Sequence, residues 1–145
     1  MKHKKSFWTL SAALLSLILT TLVLVPGAWA ANNFKTLHKF TLGNDGGDPG
    51  RLILDAAGSL YGTTDFGGSY NNCNGSCGVV FKLDTAGHES VLHNFTGGAD
   101  GAGPFAGLTI DSAGNLYGTV VEGGDLKCAD NLNGYGCGVV FKITP

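Results

Sequence analysis

Helical periodicity is missing from the chain beyond residue 30, and this excludes a helical bundle or an α/β sheet for that region. Glutamate is nearly missing as well: Glu89 and Glu122 are the only two. They do not match across the repeats and the other acids are mostly turn aspartates, which weakens the case for a glycosidase-type carboxylate pair. No G-x-S-x-G elbow occurs, so nothing orients a base toward a serine nucleophile. No C-x-x-C occurs, which removes thioredoxin-like redox chemistry. Basic residues are scarce too. Lys2, Lys4 and Lys5 lie in the first thirty residues, and the remainder has six basic against eleven acidic residues, a net charge of −5. That balance argues against a nucleic-acid partner and against electrostatic docking on anionic membranes.

The first thirty residues read as a signal peptide. A lysine-rich start leads into an apolar run from Phe7 to Val25, then Pro26 and Gly27 break any helix before Ala28-Trp29-Ala30. Small residues around Trp29 suit signal peptidase, so cleavage after Ala30 is expected. An uncleaved anchor is the competing reading, because the run approaches spanning length. Residues 31–145 then form the mature domain, exported to an extracellular, periplasmic or cell-surface location and no longer held in a membrane. Four cysteines and 23 of the 24 glycines lie there. Glycine spread between short apolar runs signals many tight turns.

The mature region is a duplication. "TLHKFTLGNDGGDP" (36–49) matches "VLHNFTGGADGAGP" (91–104), "LILDAAGSLYGTTDFGG" (52–68) matches "LTIDSAGNLYGTVVEGG" (108–124), and "CGVVFKL" (77–83) matches "CGVVFKI" (137–143). The offset drifts from 55 to 56 to 60 residues, so insertions fall in loops. Repeat 1 covers about 34–83 and repeat 2 about 89–143.

Each unit reads as four short strands, "RLILD", "SLYGTT", "GVVFKL" and "ESVLHNF", rich in β-branched and aromatic residues. The loops "DAAG" (55–58), "DTAG" (84–87) and "DSAG" (111–114) share the form D-x-A-G. Asp at the first position accepts a backbone N–H and Gly at the last takes positive φ, so Asp55, Asp84 and Asp111 are read as turn caps, with catalytic carboxylate as the alternative. The fold class is all-β, propeller-like, with two blade-sized four-stranded antiparallel repeats. An N-terminal strand, "FKTLHKF" (34–40), is expected to complete the last blade. Two blades cannot close a ring, so an open pair, a homo-oligomeric ring, or a remnant of a longer array remain.

"LYGTT" with its following Gly-Gly, "GVVFKL", "VLHNF" and "DSAGNLYGT" together resemble the repeat of the exported bacterial proteins called choice-of-anchor tandem repeat GloVer-containing proteins. The resemblance covers residues 34–145. It implies an extracellular, surface-associated repeat protein with a propeller-like β fold, and it brings no activity.

Cys73 and Cys77, spaced C-x3-C, and Cys128 and Cys137, spaced C-x8-C, occupy the same place in their repeats. Equivalent placement and an oxidising compartment favour one disulfide inside each loop, with a four-cysteine zinc site as the alternative. His38 and His93 match across repeats and read as half-buried strand histidines with a hydrogen-bonded ring nitrogen. His88 follows the second D-x-A-G turn and reads as solvated. Asp45 and Asp100 stand in acidic loops that resemble calcium loops, and Asn44 and Asp48 add oxygens only in the first. Ligand supply is short, so turn chemistry is preferred and no metal or cofactor is expected.

The aromatic residues are the functional lead. Tyr61 and Tyr117 match across repeats, and Tyr70 and Tyr135 lie in the cysteine loops. Packing between blades competes with sugar stacking for the matched pair, since tyrosine joins a flat apolar face to a polar tip. Gly62 and Gly118 are expected where two sheets approach closely. The expected function is a non-catalytic extracellular interaction or structural module with a protein or glycan partner. A carbohydrate-binding module forming an oligomeric propeller is the alternative, and a propeller hydrolase or lactonase comes third.

Overall fold

The computed structural model describes residues 33–70, 72–73, 77–125, 127–128 and 135–144. The expected signal peptide lies outside the described residues. The chain divides into residues 1–35 and 36–145, and the second unit carries the whole fold. Its elements are β1 (Gly47–Pro49), β2 (Ile53–Leu54), β3 (Leu60–Phe66), β4 (Val79–Leu83), β5 (Glu89–Asn94), β6 (Leu108–Ile110), β7 (Leu116–Val120) and β8 (Val139–Ile143). No α-helix occurs among the described residues.

Two antiparallel sheets result, and neither closes into a barrel. The first runs β1-β3-β4-β5, with β2 also on β3, and the second runs β6-β7-β8. The β2–β3, β4–β5 and β6–β7 hairpins are each set by a D-x-A-G turn. In the first D-x-A-G loop, Asp55 Oδ1 accepts the backbone N–H of Ala57 at 2.9 Å and of Ser59 at 2.8 Å. Gly58, Gly87 and Gly114 take φ of 89°, 92° and 83° at the fourth position, where a Cβ would be strained. Asp84 and Asp111 repeat the same bonds to Ala86 and His88 and to Ala113 and Asn115.

β1 was not anticipated. Gly47 and Pro49 pair with Phe66 and Thr64, extending the first sheet past β2. The second repeat retains this only as the bridge Ala102↔Glu122.

The N-terminal segment departs from expectation. Residues 34–40 form no strand and do not complete the second sheet. Phe40 instead packs edge-on against Phe81 of the first sheet, ring centroids 5.0 Å apart. Phe95 does the same one repeat later, 5.2 Å from Phe141. Residues 36–40 thus hold the place that β5 holds for the following unit. Among the described residues they join no ladder, although the Leu37 carbonyl lies beside Gly87 of the β4–β5 turn.

Opposite residues of a ladder share a face. Tyr61 pairs with Ile53 and with Lys82, and Thr63 pairs with Val80, so these five line one face of the first sheet. On the second sheet Leu108, Ile110, Leu116, Phe141 and Ile143 share a face by the same rule. The two faces meet around Phe95, Val80, Leu116 and Val120, the centre of the hydrophobic core. Thr63 Oγ1 donates across the seam to the Pro104 carbonyl at 2.8 Å.

Gly62 and Gly118 do not mark a close approach of two sheets. A Cβ on Gly62 would stand 2.7 Å from Phe81 Cζ and 2.8 Å from Leu52 Cδ2, and Gly118 faces Phe141 and Leu108 in the same way. Each glycine makes room for an aromatic ring from the adjacent strand of its own sheet.

Candidate functional site

The matched tyrosines are built by their turns. After Asp55 Oδ1 has capped the backbone, Oδ2 is left to accept the Tyr61 hydroxyl at 3.1 Å. In the second repeat Asp111 Oδ2 accepts the Tyr117 hydroxyl at 2.9 Å and the Asn115 side-chain amide at 2.7 Å. The cross-strand neighbour then covers each ring. Lys82 Nζ lies 5.4 Å from the Tyr61 centroid, and Lys142 Nζ lies 5.5 Å from that of Tyr117, both within cation–π range. Hydrogen bonds hold the carboxylates ionised. The Asp55 carboxyl is lowered chiefly by the Ser59 N–H, then by the Tyr61 hydroxyl, the Ala57 N–H and the Lys82 charge. The Asp111 carboxyl falls to about 2, chiefly through the Asn115 side chain. The remaining D-x-A-G turn, at Asp84, has no tyrosine, and His88 Nδ1 stands there instead, 3.1 Å from Asp84 Oδ2.

The surroundings of the two tyrosines differ. Tyr61, Lys82 and Leu92 of the first sheet face Leu116, Ile143 and Thr144 of the second across a groove of about 320 Å³. Tyr117 lines an open hollow of about 380 Å³ beside Thr119 and Val140, with no second sheet over it among the described residues. The fold therefore places the pair on matching faces of two sheets and does not bring them together. Tyr70 is exposed. Tyr135 lines a separate hollow of about 180 Å³ with Phe66, Phe105, Asp65 and Glu122. There burial, followed by the charges of Asp48 and Glu122, raises the Asp65 carboxyl.

Lys82, Leu92 and Asp65 were not among the expected site residues. Lys82 was within reach of the sequence, because aligning "LYGT" against "VVFKL" as a hairpin sets it opposite Tyr61. Leu92 and Asp65 depend on which sheet face meets a neighbour, and no local signal carries that.

The histidines pair with the aspartates of the acidic loops. His93 Nε2 is 3.0 Å from Asp100 Oδ2, and that carboxylate also accepts the Thr96 backbone N–H and contacts the Thr96 hydroxyl. His38 Nε2 is 3.4 Å from Asp45 Oδ2, but its geometry makes no hydrogen bond, and His38 stands outside any strand. The expectation of two hydrogen-bonded strand histidines therefore holds for His93 and fails for His38. Asp45 is engaged by Thr41, from the backbone N–H at 2.9 Å and the hydroxyl at 2.6 Å, so its oxygens serve the turn. Among the described residues no three His, Cys, Asp or Glu side chains gather into a metal-binding group.

Disulfides join Cys73 to Cys77 and Cys128 to Cys137, one in each long loop. Cys77 is buried beside Phe95 and Ala102 in the core, so the first bridge ties its loop to the seam between the sheets. Two such bonds are compatible with an exported protein.

Residues 24–145 match the sequence model of a family described as the Gloeobacter/Verrucomicrobia repeat. No curated protein and no solved structure matches the chain.

Proposed function

Because the chain belongs to the Gloeobacter/Verrucomicrobia repeat family, we propose that it acts as a non-catalytic interaction module of the cell exterior, built of propeller-like blades. One observation carries this reading. The polar constellations around the candidate residues, Tyr–Asp–Lys and His–Asp, occur twice at equivalent positions, and each is tied to its own turn. Chemistry normally needs one asymmetric set of groups converging on a reacting atom. A doubled set, engaged in turns and cross-strand pairs, supports architecture and surface presentation.

A second reading concerns the ligand. The groove between the sheets is lined by Tyr61, Lys82, Leu92 and Ile143. Its size and mixed lining suit one or two sugar rings, which stack on aromatic and apolar surface and offer hydroxyls to charged groups. Binding of the purified chain to a panel of extracellular polysaccharides and oligosaccharides, followed by calorimetry, tests this. Loss of binding in Tyr61→Ala but not in Tyr70→Ala is the expected result. Turnover of any of these sugars would overturn the non-catalytic reading. A blank panel would remove the glycan.

A further inference from the structure

The seam between the two sheets is made of two different faces, and each face has a second copy that is left open. Val80 is fully buried where the first sheet meets the second, while its repeat mate Val140 is 79% exposed. Around Val140, Thr109, Tyr117, Thr119 and Lys142 repeat the positions of Ile53, Tyr61, Thr63 and Lys82. On the other side, Leu108 and Ile110 pack into the seam, while their mates Leu52 and Leu54 are 52% and 62% exposed. The polar bond of the seam is open in the same way. Thr63 Oγ1 reaches the Pro104 carbonyl, and both mates, Thr119 and Pro49, lie exposed.

The strand edges repeat the pattern. β4 carries β5 on its outer edge, with Val80 opposite His93. β8 has no strand on that edge among the described residues. Residues 36–40, the repeat mate of the segment that includes His93 and Phe95, lie outside every ladder, with Thr36, Leu37 and Lys39 exposed and Phe40 already seated on Phe81.

We propose that a second copy of this chain docks head to tail on the first, repeating the internal seam between chains. The Val140 face of one copy receives the Leu52–Leu54 face of the next. Residues 36–39 of that next copy pair with β8, His38 opposite Val140 as His93 stands opposite Val80. Thr119 donates to the Pro49 carbonyl of the next copy. The contact is heterologous, two different patches meeting, so the pair keeps one open patch of each kind, one on each copy, for further neighbours. It also roofs the Tyr117–Lys142 half-groove with the next copy's half-buried Leu60, mate of Leu116.

Light scattering of the purified chain across concentration tests this without any ligand, so failure of the glycan reading leaves it untouched. The expected mass is a multiple of one chain. Val140→Lys and Leu54→Lys each alter a side chain exposed in the single copy, and unchanged circular dichroism confirms folding. Each variant alone is expected at the mass of one chain. Mixed in equal amounts, they are expected to give a dimer, since the intact tail of one meets the intact head of the other. A wild-type chain that stays single at all concentrations overturns the proposal. A mixture that stays single also overturns it, as does assembly lost in Val140→Lys but kept in Leu54→Lys, which would mean like faces meeting.

Discussion

Phe95 and Phe40 occupy the same repeat position, which makes them a controlled comparison. Phe95 is 1% exposed, lies edge-on to His93 and Phe141 at centroid distances of 4.8 and 5.2 Å, and sits in the seam between the sheets. Phe40 has the matching contacts, to His38 at 4.6 Å and Phe81 at 5.0 Å, but is only half-buried. Truncating a fully enclosed phenylalanine costs its transfer energy plus the cavity it leaves, about 3–5 kcal/mol. Phe40→Ala loses only part of the burial and leaves no closed cavity, so about 1–2 kcal/mol is expected. A small domain has only about 5–15 kcal/mol to lose. Phe95→Ala should therefore bring the chain close to unfolding at room temperature, while Phe40→Ala should not.

Urea denaturation followed by far-ultraviolet circular dichroism, at a low protein concentration that keeps any proposed assembly apart, gives both numbers. Both tryptophans, Trp8 and Trp29, fall in the N-terminal thirty residues, so indole fluorescence would not follow the sheets. Equal costs would refute the reasoning, because the same contacts would then be worth the same with and without the second sheet over them. A Phe95→Ala variant with an unchanged midpoint would refute it more directly.

Three further outcomes follow from particular residues. Asp111 has its carboxyl lowered from 3.8 to about 2 in the folded chain, so its stabilisation is full above 3.8 and is lost as pH falls toward about 2. The Tm gap between wild type and Asp111→Asn should narrow over that window, and a constant gap would contradict the assignment. Gly62→Ala places a methyl against Phe81, which is buried and cannot swing clear, so a loss of about 1–3 kcal/mol is expected in urea melts. Replacing Cys73 and Cys77 together by serine should cost about 2 kcal/mol from loop entropy, with more if the buried Cys77 site tolerates the hydroxyl poorly. A non-reducing peptide map that links Cys73 to Cys128 would overturn the pairing itself.

The strands that can be read from the chain are those whose residues carry their own reasons. β3, β4 and β5 are β-branched and aromatic runs closed by D-x-A-G turns, and they fold where those signals stand. β1 could not be read, because Gly47-Asp48-Pro49 has no strand-forming residue and is ordered by β3 alone. Residues 34–40 fail in the opposite sense. They carry the same signature as β5, yet a signature gives only the capacity to pair, and the pairing needs an edge. The candidate site divides in the same way. Tyr61 and Tyr117 stand out by repetition, and their ties to Asp55 and Asp111 follow from turn chemistry. The groove does not, because it depends on which face of the first sheet the second sheet covers.

That division bears on what the repeat is for. Tyr61–Asp55–Lys82 and Tyr117–Asp111–Lys142 are the same device, with hydroxyl distances of 3.1 and 2.9 Å and ring distances of 5.4 and 5.5 Å. Among the described residues only the first has a wall opposite it. Affinity for a ligand of sugar size comes from enclosure by two surfaces, and one exposed ring supplies little of it. On the proposed glycan reading, the residues of the device therefore do not decide whether a copy binds; the neighbouring sheet does. If head-to-tail docking supplies that neighbour for Tyr117, the number of grooves per chain rises from one to two with assembly. If the groove takes the proposed glycan, calorimetric stoichiometry should then move from one toward two ligands per chain as protein concentration crosses the assembly midpoint. In Val140→Lys it should stay at one throughout, and a variant that still reached two would separate the second groove from the docking face.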